Sequence, residues 1–289
     1  MSEKKPIGLV EKAFSHLSFR IGFFGTIIFF IIALISIFWT PFDIANLDIS
    51  NRFASISFSH ILGTDFYGRD MLSLLMSGAL TSFIVAIIAV LIGLIIGVPL
   101  GLIAASYGGW LDAILSRTND FLFAFPAIIS AIIITTIFGP SAINAMIAIG
   151  IFNIPVFARV ARGGALSIKM LDYIDAARLS GMGTLEIAFR HIFPNIASLI
   201  IVQASVQLSL GILAEAGLSY IGLGTQPPQT SLGLMLQEAQ SFFLLYPMLA
   251  ILPGLTIMFI VICINLLGDG LRDALDPKLA REETLDAAG

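Results

Sequence analysis

Charge is scarce in this 289-residue chain: Asp, Glu, Lys and Arg together make up 12% of it. That is about half the share found in an average soluble domain, too little to coat a single core of this size with polar surface. Cysteine occurs once, which excludes a disulfide scaffold and a cysteine-based metal cluster. The P-loop spacing G-x-x-x-x-G-K-[ST] is missing, so the chain cannot cradle nucleotide phosphates in that manner. H-E-x-x-H and G-x-S-x-G are missing too, and the three histidines stand far apart at 16, 60 and 191, which argues against an intramembrane enzyme. A formal net charge of −4 leaves no electrostatic footprint for nucleic acid. What fills the chain is apolar: 57% hydrophobic residues and 23 Phe, with a mean hydropathy of +0.98. Such a chain collapses in water rather than staying disordered. Lipid is its solvent, and the composition describes an integral membrane protein.

A helix needs about 20 residues to cross roughly 30 Å of hydrocarbon. The first charge-free stretch of that size runs from Ile21 to Trp39. Residues 71–111 carry no charge, with Leu80–Ala105 as their most apolar part. Residues 121–158 are also uncharged and too long for one crossing, and Gly139-Pro140 divides them because that pair turns a chain more readily than it continues a helix. This predicts spans at Phe121–Phe138 and Ile143–Ala161, followed by Ile196–Glu215 and Pro247–Leu267. The expected fold class is all-α, with six transmembrane helices.

Thirteen of the fifteen Lys and Arg fall before span one, between spans two and three, at or between spans four and five, or after span six. Only Arg52 and Arg69 lie on the other side. The positive-inside bias therefore predicts both termini in the cytoplasm, with residues 40–79 and 216–246 facing outward. Span one has the basic front of a signal peptide, but its long apolar core without a convincing A-x-A site reads as an uncleaved anchor. Acidic residues are missing from the middle of every span, and Glu215 stands near the outer end of span five. Ion-coupled carriers usually need a membrane-buried ionisable group, so a pathway built here draws its energy from elsewhere. Gly93, Gly97 and Gly101 give span two a smooth face for a close helix contact, either within the chain or with another subunit. Pro99, Pro155 and Pro253-Gly254 are expected to kink their helices.

The one sizeable inner loop runs from Arg162 to Asn195. Asp172 is placed to cap a short helix, with Asp175 favourable in its first turn and Gly181 as its stop. A second short helix, Thr184 to Phe193, is expected to end at Pro194-Asn195. Two readings stand for this loop: an amphipathic hairpin on the lipid headgroups, or a docking knob whose small Ala-Ala face seats in a soluble partner.

At this point the sequence resembles a known family. Asp175-Ala176-Ala177, with Gly181 and Pro194, is similar to the "EAA" coupling motif of ABC importer permeases, with Asp where Glu is usual. The stretch His60–Asp70 resembles the segment before span two in the dipeptide/oligopeptide/nickel permease family. So do Tyr107-Gly108-Gly109 with Asp112, Arg117, Asp120, Phe125 and Pro126, then His191 and Asn195, Glu215 with Leu218–Gly224 and Pro227-Pro228, and Asn265–Pro277. Leu232 and Phe152 depart from the pattern, each standing where Trp is common. The resemblance runs in order from residue 60 to 277 and points to the shorter, C-type permease of a pair.

What the resemblance implies is a type I ABC importer transmembrane domain. The expected partners are a second permease, two cytoplasmic ATPases, an extracytoplasmic solute-binding protein and membrane lipid, in a bacterial cytoplasmic (inner) membrane. ATP and Mg would be used by the ATPases, with no cofactor and no metal on this chain. Residues 1–75 would form the N-terminal segment with the first span and outer loop, 76–268 the transmembrane core with its coupling loop near 163–195, and 269–289 a cytoplasmic tail. Asp175, Ala176, Ala177, Arg178 and Gly181 would make the ATPase contact. Asn153, Gln203, Gln207 and Glu215 are candidates for lining the pathway, although amides in spans also serve as interhelical hydrogen-bond glue. Peptides rank first as substrate, ahead of other small solutes and nickel. A passive channel, needing no docking helix, and a scaffold that anchors soluble enzymes at the membrane are the rival readings.

Overall fold

The computed structural model describes residues 13–275. The expected charges at Lys4, Lys5, Lys12, Lys278 and Arg281, and the end of the 269–289 tail, lie outside the described residues. Within them the chain is helical, and its one β-bridge is an isolated pair, Thr64 with Asp70. The helices are α1 (Leu17–Ile35), α2 (Met71–Tyr107), α3 (Gly109–Ala124), α4 (Ala127–Phe138), α5 (Ala142–Lys169), α6 (Asp172–Leu179), α7 (Thr184–Ile187), α8 (Phe193–Tyr220), α9 (Leu232–Ala239) and α10 (Met248–Leu275).

Local chemistry sets these boundaries. Asp70 caps α2 by accepting from the Ser73 N–H at 2.8 Å, and Gly108, at φ +67, ends it. Ser141 and Ser231 cap α5 and α9 in the same way, so three helix starts carry a side-chain oxygen on otherwise orphaned N–H groups. Among the described residues five helices are long and apolar enough to cross a membrane: α1, α2, α5, α10, and α8 joined to the segment from Thr184. At 37 residues, α2 is about 55 Å long and projects beyond the hydrocarbon. Large apolar side chains such as Ile28, Ile95, Ile133, Leu210 and Phe259 stand exposed along the bundle, as a lipid-facing surface requires.

The third expected span departs from the straight helix predicted over Phe121–Phe138. It is split into α3 and α4, bent by 82°, and six crossings result only if this pair counts as one. The cause lies at Phe125-Pro126: proline has no N–H to donate and forces the residue before it out of the helical region, and Phe125 sits at φ −95, ψ 129. The expected inner helix Thr184–Phe193 also differs. Instead of stopping at Pro194, the chain passes through a π-helical turn, Ala188–Ile192, directly into α8. The wider turn accommodates the missing proline donor, and the Asn195 amide donates to the His191 carbonyl at 2.6 Å. Asp172 begins α6 rather than capping it; Leu171 holds the cap position without a side-chain bond.

Packing is tightest between α2 and α5. A Cβ added at Gly93, Gly97 or Gly101 would run into Asn153, the Ile154 carbonyl and the Ala158 carbonyl respectively. The small-residue face is thus spent inside the chain, on backbone-to-backbone contact. Buried Val98, Leu102, Phe157, Ala161 and Ala165 extend this contact toward the α6 end of the bundle. At the opposite end, α9 lies on α2, α8 and α10 through Leu74, Ile212, Leu232, Met235 and Ile260. α1 packs on α10, where Gly25 makes room for Cys263, a half-buried apolar filler.

Gly97→Val tests the α2–α5 contact. Overpacking of a tight core costs roughly 1–3 kcal/mol, and here the obstacle is backbone rather than a flexible side chain. The variant is expected to lower the thermal unfolding midpoint in detergent, whereas Gly163→Ala, where an added Cβ meets nothing within 4 Å and a helical glycine is relieved, should not lower it.

Candidate functional site

At one end of the bundle, α6 stands on a single anchor. Ile174 is completely buried, against a cluster that includes Ile187 and Ile192, and Ala177 is half-buried against the same cluster. Burying one such side chain is worth about 1.5–3 kcal/mol. Asp175, Ala176, Arg178 and Gly181 are exposed. Arg178 donates to Asp175 at 2.8 Å, one turn apart and in water, where such a pair contributes little stability. Two bonds close the helix: Met182 N–H to the Ala177 carbonyl at 3.2 Å and Gly181 N–H to the Arg178 carbonyl at 3.0 Å. This is a Schellman ending, and it holds Gly181 at φ +84, a conformation that side chains with a Cβ rarely adopt. The result is a short, well-ended helix that presents small and charged groups outward. Leu179 and Met170, 89% and 84% exposed, flank that face.

The same end is tied together by charge. Lys169 donates to the carbonyls of Ala105 and Ser106 at 2.7 and 3.0 Å, placing a cation on the C-terminal end of α2 as the helix dipole favours. Arg162 of α5 grips Asp112 of α3 with two parallel bonds of 2.6 and 2.7 Å. Arg159 bonds Asp120 at 2.9 Å and lies 4.0 Å over the Phe123 ring.

Between α4, α5 and α8 lies a cavity of about 580 Å³. Phe125, Pro126, Phe152 and Pro155 are among its walls, and its polar side chains are Asn153 and Gln207; no charged side chain among the described residues lines it. Asn153 spends one amide bond on the Ala89 carbonyl at 3.1 Å. Gln207, 5% exposed, has no protein partner for its amide among the described residues.

The far end is a cap of folded loop. Asp65 accepts from the Tyr67 and Arg69 N–H groups, each at 2.8 Å, and from the Arg69 guanidinium at 2.6 Å. Arg69 also donates to Glu238 of α9 at 2.8 Å. Burial alone would lower the Arg69 pKa, but Asp65 and Glu238 more than offset it and hold the guanidinium above its ordinary value. Burial raises Glu238, only partly countered by Arg69. Residues 97–281 match the family described as "Binding-protein-dependent transport system inner membrane component".

The chain belongs to that permease family. It is 45% identical to the glutathione transport system permease protein GsiD of Pectobacterium atrosepticum, over 86% of this chain and 85% of that protein. It is 42% identical to the dipeptide transport system permease protein DppC of Alkalihalophilus pseudofirmus, over 87% of this chain and 83% of that one. Its fold is similar to a solved structure of the MetNI methionine ABC transporter in inward-facing form, with a TM-score of 0.60, 18% identity, and coverage of 71% of this chain and 98% of that one. The protein is therefore a multi-pass membrane permease with the type I importer fold, a transport subunit of an ABC importer and not an enzyme. Such a subunit works with an ATPase and other transporter subunits.

The permease brings two of the four candidate pathway residues together: Asn153 and Gln207 share the cavity. Gln203, one turn away, is half-buried outside its lining. Glu215 lies apart, completely buried rather than in interfacial water. Ser82 of α2 donates to it at 2.7 Å, Ser219 at 2.6 Å and Thr225 at 3.3 Å. Ser82 in turn accepts from Leu232 N–H at 3.4 Å, and Ser219 from Thr225 N–H at 3.0 Å. The carboxyl thereby clamps α2, α8 and the start of α9. Asn144, another amide of α5, closes the α4–α5 turn by donating to the Phe138 and Gly139 carbonyls. Sequence reasoning gave no role to Leu179, Met170 or the Arg159 and Arg162 pairs. The i, i+3 spacing of the two arginines at the inner end of a span was the available signal.

Glu215→Ala strands three hydroxyls in a dry site and is expected to cost roughly 1–3 kcal/mol, lowering the unfolding midpoint in detergent. Glu215→Gln keeps one acceptor oxygen and should lose less. A Glu215→Ala midpoint equal to wild type would contradict the clamp.

Proposed function

We propose that this permease forms half of the translocation pathway of an ATP-driven peptide importer and that α6 is its coupling helix. The observation that carries the reading is the shape of α6: one buried anchor, a Schellman end and an outward face of Asp175, Ala176 and Arg178. A chain without a P-loop needs its motion delivered mechanically, and a short rigid helix seated in a partner does that. Ala176 provides the small outward face, Ala177 packs the helix onto its own bundle, and Gly181 sets the exit of the chain. Arg178, already paired to Asp175, orients that carboxylate.

The partners in this reading are a second permease completing the pathway, two cytoplasmic ATPases that bind ATP and Mg, and an extracytoplasmic binding protein that delivers solute. The location is a bacterial inner membrane with both termini cytoplasmic, in line with the positive-inside bias. Residues 76–268 form the working core. The cavity between α4, α5 and α8 is this subunit's share of the path. Its neutral amides, Asn153 and Gln207, suit peptide groups without trapping a charged side chain, and the permeases named above, at 45% and 42% identity, are described for glutathione and for dipeptides. Gln203 and Glu215 support the path from outside its lining.

Uptake of a labelled dipeptide and of labelled glutathione by cells whose only copy of the permease carries Ala176→Arg tests this. The expected result is loss of uptake with normal amounts of permease in the membrane, because the substitution adds bulk to an exposed docking face and leaves Ile174 in place. Undiminished uptake would overturn the coupling assignment.

A further inference from the structure

We propose that the Asp112–Arg162 pair is a positioning contact that makes α3 a lever, moving the Phe123–Pro126 elbow at the cavity as α5 moves. The inference rests on reading α6 as the coupling helix and the cavity as the path, and adds how one reaches the other.

Three observations carry it. First, α3 buries none of its residues, so apolar packing does not hold it in place within this chain. Its ties to α5 are polar: the two-bond grip of Arg162 on Asp112 at 2.6 and 2.7 Å, reinforced by Ser116 donating to Asp112 at 3.2 Å, and the Arg159–Asp120 bond at 2.9 Å. A paired guanidinium and carboxylate fix direction as well as distance, which is what a lever joint needs and a greasy contact does not supply.

Second, both ends of the joint lead to the right places. α5 runs from Arg159 and Arg162 to Lys169, two residues before α6. α3 runs from Asp112 to Ala124 and stops at the 82° bend, where Phe123, Phe125 and Pro126 line the cavity. Arg159 lies on the Phe123 ring itself, so a displacement of α5 reaches the wall through a second contact.

Third, the hinge is built in. The Gly108-Gly109 step that starts α3, at φ +67 and +58, has nothing within 4 Å of either added Cβ. Phe125-Pro126 interrupts the hydrogen-bond ladder at the other end. α3 is thus a rigid rod with a joint at each end, fastened in its first turn at Asp112 and near its far end at Asp120 to the helix that leads into α6.

The test uses the intact complex co-purified with its ATPase subunits, with Cys263, the chain's only cysteine, changed to Ala. Spin labels are placed through Ala124→Cys on the elbow and Leu199→Cys on α8, and their separation is measured with and without ATP and Mg. In the otherwise wild-type complex, ATP is expected to shift this distance by a few ångströms. Asp112→Asn and Arg162→Gln are each expected to abolish the shift while the complex stays assembled and still hydrolyses ATP. The charge-swapped pair, Asp112→Arg with Arg162→Asp, is expected to restore it. A shift that persists in both single variants, or a swap that leaves it absent in an assembled complex, overturns the lever. Ala176→Arg in the same background separates the two ideas. Loss of the shift there together with persistence in the Asp112 and Arg162 variants leaves the coupling reading standing and removes the lever, whereas a normal shift there removes the coupling reading.

Discussion

The backbone contact between α2 and α5 is the constraint on which the rest of the permease depends. Gly93, Gly97 and Gly101 leave no room for a side chain between the two helices, so neither can rotate or slide without the other. Around that bar the remaining parts take fixed stations. α5 leads at one end to α6, turns Asn153 into the cavity at mid-length, and carries Arg159 and Arg162 to α3 between them. A less intimate contact would let α5 yield locally, and a push on α6 would be absorbed before it reached the cavity wall.

Polar groups are distributed according to what each end has to do. At the α9 end the charged groups are buried and paired: Glu215 takes three hydroxyl donors, and Arg69 is shared between Asp65 and Glu238. Breaking such networks leaves desolvated groups unpaired, so this end is a stiff cap. At the α6 end the ion pairs are more exposed, with Arg159 and Asp120 at 57% and 70%, and individually weak. The cavity between holds two amides and no charge. A stiff cap, an uncharged middle and a loosely pinned far end suit a subunit that must pass solute without retaining it.

Much of this was legible in the sequence because lipid imposes simple rules. Charge-free runs locate each long helix among the described residues, and Asp175-Ala176-Ala177 with Gly181 marks a short, separately ended helix. The misses have local causes. The Phe121–Phe138 run is apolar throughout, so hydropathy predicted one span, while Pro126 and its effect on Phe125 bent it by 82°. Pro194 read as a stop because a π-helical turn, which absorbs it, has no sequence signature. Glu215 stands as a pathway candidate in the sequence because its partners, Ser82 and Thr225, are 133 and 10 positions away in the chain, a proximity that only the fold creates. For the same reason Gln203 and Gln207, one turn apart, looked equivalent and are not.

The central claim, that α6 is where motion enters, is tested most directly by photocrosslinking. A benzophenone amino acid replaces Leu179, beside the proposed docking face, and in a second version Phe38, 91% exposed just beyond α1. After illumination of native membranes, the crosslinked products are sequenced. The Leu179 version is expected to capture a P-loop ATPase subunit and the Phe38 version to capture none. A Leu179 version that crosslinks only lipid while the ATPase is still recovered in the same complex would contradict it.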